Sequence, residues 1–81
     1  MSRKVIKVPD NRFLHCYAAA IFARQTKIWP FIEKLNLDNV VVMNDIVKHT
    51  KQEFFRKYDP APEEARILLR GMRQMSLQFA D

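Results

Sequence analysis

Two histidines, one cysteine and a short run of carboxylates are the groups in these 81 residues suited to acid–base, nucleophilic or metal chemistry. His15 and Cys16 are neighbours in sequence, and neighbours on a helix point about 100° apart, so they do not pair as nucleophile and base. His49 falls beside the polar face of an amphipathic stretch, where a packed or solvated imidazole accounts for it. Asp59, Glu63 and Glu64 surround a helix start, where carboxylates suit the positive end of the helix dipole. Gly71, the single glycine, falls inside a helical stretch, so no glycine-rich loop is available to cradle a phosphate. One cysteine excludes an internal disulfide, and Cys16 has too few His or Cys companions for a zinc knuckle. Catalysis, a metal and a cofactor of the chain's own are therefore not expected.

The cations carry more pattern. Arg66, Arg70 and Arg73 recur at four- and three-residue steps, forming one basic stripe beside an apolar helix face. Lys48, Lys51, Arg56 and Lys57 add charge on the preceding helix, spread around its cylinder. Acids concentrate at helix starts and leave later turns basic, giving a formal charge of +5. Such an asymmetry points to an acidic partner surface. Charge alone does not choose between nucleic acid, an anionic membrane surface and an acidic protein.

The elements that must position these residues follow from periodicity. With 48% apolar residues and one glycine, the composition favours a helical domain over a disordered or turn-rich one. Residues 2–8 alternate basic and apolar up to Pro9 and are expected to form an extended basic arm, leaving 11–81 as the domain. Asp10 and Asn11 offer caps to a first helix in which Leu14, Tyr17, Ala18, Ile21 and Ile28 share a face. Its three alanines, Ala18 to Ala20, leave a narrow surface for close approach. Trp29-Pro30-Phe31 is expected to interrupt it, with a short piece from Phe31 to Leu35 following. A second helix is expected from about Asp38 to Tyr58, because the helical period from Met43 through Ile46, Val47, Thr50, Phe54 and Tyr58 runs on from the β-branched Val40-Val41-Val42.

Asp59-Pro60-Ala61-Pro62-Glu63-Glu64 then reads as a stop and a start. A third helix carries Ala65, Leu68, Leu69, Met72, Met75, Ser76 and Phe79 on one face. The expectation is an all-α, antiparallel three-helix bundle. No run of about 18 apolar residues occurs, so no membrane span is expected. The apolar run after Met1-Ser2-Arg3-Lys4 is too short for a signal peptide, and an intracellular or organellar protein is expected.

The segments Gln52-Glu53-Phe54-Phe55-Arg56-Lys57-Tyr58 and Asp59-Pro60-Ala61-Pro62-Glu63-Glu64-Ala65-Arg66-Ile67-Leu68-Leu69-Arg70-Gly71-Met72 resemble the second and third helices of the small mitochondrial LYR proteins. Tyr17 takes the place of the motif tyrosine. The triplet itself reads Cys16-Tyr17-Ala18, without the family's leucine and arginine, and Arg24 would stand in for the latter.

The resemblance implies binding rather than catalysis. Such proteins bind the mitochondrial acyl carrier protein, whose phosphopantetheine-linked acyl chain enters between the helices, and attach it to respiratory or other large mitochondrial assemblies. Carried onto this chain, it implies a partner-binding basic face of Lys48, Lys51, Arg66, Arg70, Arg73 and Arg24. It likewise implies an acyl tunnel of Tyr17, Ala18, Ile21, Val47, Phe54, Leu68 and Met72. The only cofactor implied is the acyl-phosphopantetheine of the bound carrier, and the location implied is the mitochondrial matrix side. The alternatives are a basic nucleic-acid-binding module, to which Arg3, Lys4 and Lys7 would contribute, and a ribosomal or structural subunit without a carrier partner.

Overall fold

Helices account for most of residues 11–80, the part of the chain described by this computed structural model. The expected arm, residues 1–10, lies outside the described residues, as does Asp81. The chain runs through a 3-10 turn at Arg12–His15, α1 (Ala18–Ile21), a second 3-10 turn at Thr26–Ile28, α2 (Trp29–Leu37), α3 (Met43–Val47), α4 (Lys51–Tyr58) and α5 (Pro62–Gln74). Among the described residues there is no strand, and one isolated antiparallel bridge joins Tyr17 to Val42. The all-α expectation holds. The three continuous rods do not appear as such, and each interruption has an identifiable cause.

The first expected helix is broken at Cys16 and Tyr17, which are extended. Their backbone pairs across the chain instead: the Ala18 amide donates to the Val41 carbonyl (2.9 Å) and the Met43 amide to that of Cys16 (2.9 Å). The β-branched run Val40–Val42, expected to be helical, is thus the extended partner its side chains favour. Asp45 fixes that outcome, since its Oδ2 accepts from the amides of Val41 (3.1 Å) and Val42 (3.2 Å), so α3 starts at Met43 and not at Asp38. Trp29-Pro30, expected as a break, opens α2, with Pro30 in the first turn where its missing N–H costs nothing. The second rod divides at His49 because Thr50 caps a new helix, its Oγ1 accepting from the Glu53 amide (3.1 Å). Thr50…Glu53 is a capping spacing that the apolar periodicity overrode.

The third helix begins as expected, with Pro62 in its first turn and Glu64 Oε1 accepting from the Ala61 amide (2.8 Å). It ends earlier than expected. Ser76 takes a left-handed conformation (φ 58°), its amide donates to Arg73, and the Leu77 amide donates to Met72 (2.9 Å). This is a Schellman ending with serine in glycine's usual place. Asn39 closes α2 in the same way, with φ 66° and the Val40 amide donating to Leu35 (2.9 Å). Ser76 therefore leaves the helix face on which the period placed it, and Phe79 returns on a non-helical segment.

Phe54 occupies the centre of the core, fully buried, with its ring centroid between 5.0 and 6.1 Å from those of Tyr58, Phe79, His49, Phe31 and Phe55. Ile28, Leu35, Met43, Ile46 and Leu68 are equally inaccessible. Alongside, α5 approaches Phe22 so closely that a β-carbon at Gly71 would lie 2.6 Å from its Cε1. At the far end of α2, the Tyr58 hydroxyl donates to Asp38, Lys57 lies 3.5 Å from the same carboxylate, and the Lys34 ammonium donates to the Tyr58 carbonyl (2.6 Å). The hydrogen bond from Tyr58, followed by the charge of Lys57, holds the Asp38 carboxyl below its usual range.

Three stability outcomes follow. Ser76→Gly removes the cost of a left-handed serine and is expected to raise unfolding free energy by about 1 kcal/mol in urea titrations. Gly71→Ala is expected to lower it by about 1 kcal/mol, because the clash with Phe22 outweighs the gain in helix propensity. In the background of Phe22→Leu, that loss should shrink. Asp45, whose carboxyl is lowered first by the Val41 amide, stabilises the fold while ionised. Stability is thus full above the ordinary carboxylate range and is lost as pH falls through the lowered folded value. Asp45→Ala should cost about 1 kcal/mol at neutral pH and flatten this acid limb in urea midpoints measured against pH.

Candidate functional site

The stripe expected on the third helix is exposed along α5, at Arg66, Arg70 and Arg73. What gives it a shape is the turn between α1 and α2. Ile28, fully buried, pins that turn against α5, and Phe22 fits over Gly71, so Arg24 and Lys27 face Arg66 and Arg70 across one groove of about 430 Å³. Gln25, Thr26 and Ile67 complete its wall. Among the described residues, four cations thus meet a single carboxylate, Glu63. Its Oε2 is shared by Lys27 (3.3 Å) and Arg66 (3.5 Å), which leaves Arg24 and Arg70 without an ion pair among the described residues. Arginine at such a rim offers a planar fork to a carboxylate or phosphate.

A smaller cavity of about 120 Å³ adjoins the groove, sharing Gln25, Ile67 and Arg70 with it. Its lining is mixed: Ile21, Phe22, Gly71 and Met75 stand beside the polar Gln25, Arg70 and Gln74. Its volume is that of about four liquid waters, so it accepts a short group and not a long chain. An anion at the rim and an alkyl group just inside is the combination this arrangement can hold.

The other expected binding residues are distributed differently. Lys51 and Arg73 lie on the opposite flank of α5, around a second groove. Lys48 is exposed and pairs with Asp45 at 3.7 Å. Of the expected tunnel, Ala18, Val47, Phe54, Leu68 and Met72 are buried together and Ile21 sits at the core's edge. Tyr17 is not with them: it is 61% exposed, because the bridge to Val42 leaves its side chain outside the core. Lys27 and Glu63 were not expected in the site. Lys27 lies on no apolar period, and Glu63 was already explained by its place at a helix start.

The groups suited to catalysis remain apart. His15 is exposed, and the Cys16 thiol lies 3.9 Å from the Arg12 carbonyl. His49 joins α3 to α4 as part of the aromatic cluster, its carbonyl accepting from the Ala80 amide (2.9 Å) and its Nδ1 buried without a partner among the described residues. No three His, Cys, Asp or Glu side chains converge as metal ligands among the described residues. Neither is any described helix long and apolar enough to cross a membrane. Of the alanine surface, Ala18 is buried, while Ala19 and Ala23 border a shallow apolar groove of about 250 Å³ beside Trp29.

Comparison with protein-family models, curated proteins and solved structures found no match.

Glu63→Gln removes the one carboxylate in the groove and is expected to delay elution from an immobilised polyanion in a salt gradient, whereas Arg24→Glu is expected to advance it. Both pairs of Glu63 are exposed, so the stability change in Glu63→Gln should stay within about 1 kcal/mol. Identical elution of the two variants would remove the groove as the anion-binding surface.

Proposed function

We propose that this protein is a non-enzymatic adaptor that binds an acidic acyl carrier protein and attaches it to a larger mitochondrial assembly. The observation that carries the reading is the groove of Arg24, Lys27, Arg66 and Arg70 opening beside a small cavity edged by Ile21, Phe22 and Met75. An acidic helix surface is complementary to the first, and steering between opposite charges favours the encounter. The phosphate of a prosthetic arm suits the arginine rim, and the near end of its thioester-linked group suits Ile21, Phe22 and Ile67. In this reading α3 and α4 together stand for the second rod of an LYR-like bundle, interrupted at His49, and α5 for the third. The alkyl entry lies beside Ile21 and Met75 rather than at Tyr17.

The rival reading, a nucleic-acid-binding module, draws on the same cations. Less supports it, because Phe22 and Phe31 are buried, and the indole of Trp29 donates to the Phe22 carbonyl (3.2 Å), leaving no row of aromatic faces beside the groove for bases to stack on.

Purification of the full chain from mitochondria in mild salt, followed by intact mass of what accompanies it, tests the reading. A small acidic protein bearing acylated phosphopantetheine is expected. It should be lost from the doubly reversed variant Arg24→Glu, Arg66→Glu. Recovery of nucleic acid in its place, or of a carrier protein that both reversals leave bound, would contradict it.

A further inference from the structure

Among the described residues three large apolar side chains stay in solvent, Tyr17, Trp29 and Leu37, and the last two share one side of α2. Trp29, Glu33 and Leu37 follow one another at four-residue steps. The carboxylate therefore stands between an indole that is 48% exposed and a leucine that is 90% exposed. Beside this ridge lies the groove of about 250 Å³ that Ala19 and Ala23 border. Ile32 gives it a buried apolar wall, and Glu33 and Asn36 give it a polar edge. The methyls of Ala19 and Ala23 are too short to cover the indole, which is why it stays open.

Glu33 is the charge on that edge. It lies beyond the first turn of α2, so the helix dipole does not account for it, and it joins no ion pair among the described residues. Lys34, its neighbour in sequence, is engaged elsewhere: its ammonium donates to the Tyr58 carbonyl (2.6 Å) and lies 5.8 Å from the centre of the Phe31 ring. Among the described residues that line the groove there is no cation. The indole is a fixed surface, because its Nε1 donates to the Phe22 carbonyl (3.2 Å). A carboxylate beside a held aromatic ring suits a lysine or arginine side chain, whose aliphatic stem lies on apolar surface while its head meets the acid and the ring.

We propose that this groove docks a protein segment carrying one lysine or arginine between apolar residues. The cation meets Glu33 and the Trp29 ring, and its apolar neighbours seat on Ala19 and Ala23 on one side and against Leu37 on the other. One cation is specified because the chain's own formal charge of +5 repels a strongly basic segment. Glu33 at the centre of the patch likewise disfavours an anionic bilayer. The inference goes beyond the adaptor reading and does not depend on it, since this groove and the basic one share no lining residue and take opposite charges.

Trp29 is the only tryptophan of the chain, so its emission reads the groove directly. Titrating the full chain with a capped, tryptophan-free peptide that has one lysine among leucines and serines should shift this emission to the blue. Amide shifts are expected at Ala19, Ala23 and Glu33 to Leu37, and not at Arg66 to Arg70. Glu33→Lys should weaken binding by about tenfold or more and accept instead the same peptide with glutamate in place of lysine. Leu37→Ser, at a side chain outside the core, should weaken it as well. Equal binding of the two peptides, or binding unchanged in either variant, would overturn the proposal. So would a blue shift that rises with chain concentration alone, one produced by phosphatidylglycerol vesicles as readily as by the peptide, or peptide binding that begins only once residues 2–8 are removed. Those outcomes would give the groove to a second copy, a bilayer or the chain's own arm. Carrier binding is read at Arg24 and Arg66 and not at Glu33, so its failure is distinguishable from failure here.

Discussion

The ring of Phe22 lies against the one position of α5 that has no side chain, and a β-carbon there would approach its Cε1 to 2.6 Å. That contact sets how near the turn after α1 comes to α5, and the distance between them sets the width of the basic groove. Ile28 buried on one side and Leu68 and Met72 on the other hold the same approach from the core. Fold and site therefore share a constraint. A larger residue at position 71 would push Arg24 and Lys27 away from Arg66 and Arg70, and the groove between them would widen.

How far the sequence reveals this depends on the element. The α5 start is legible because Pro62, Glu63 and Glu64 agree with one another, and its buried face follows from the spacing of Leu68 and Met72. The first two rods are not, because the apolar period runs straight through local polar signals that end a helix. Asp45 reaching back to Val41 and Val42, and Thr50 capping ahead of Glu53, both end a helix that periodicity would continue. Pro30 falls mid-pattern like a break and Pro62 follows a stop like a start, although each sits in a first turn. A proline opens or closes a helix according to what the flanking chain pairs with, and that pairing, Cys16 and Ala18 with Val41 and Met43, is non-local.

The site is half legible for a related reason. A helical stripe can be read from spacing, and Arg66 and Arg70 show it. Their partners across the groove come from a turn, where no period operates, and Arg24 entered only through a resemblance while Lys27 did not enter. Tyr17 shows the opposite error, since a helical face was assumed for a residue whose backbone is extended and whose ring is in solvent. Along α5 itself two grooves are lined, with Ile67 and Arg70 in one and Leu69 and Arg73 in the other.

Titrating an isotopically labelled chain with a purified acyl carrier protein, at two salt concentrations, and following backbone amide shifts tests most directly whether the turn and α5 act as one surface. Arg24 to Lys27 and Arg66 to Arg70 are expected to shift together, with higher salt weakening both equally. Shifts on α5 without the turn, or no shift at either, would contradict it.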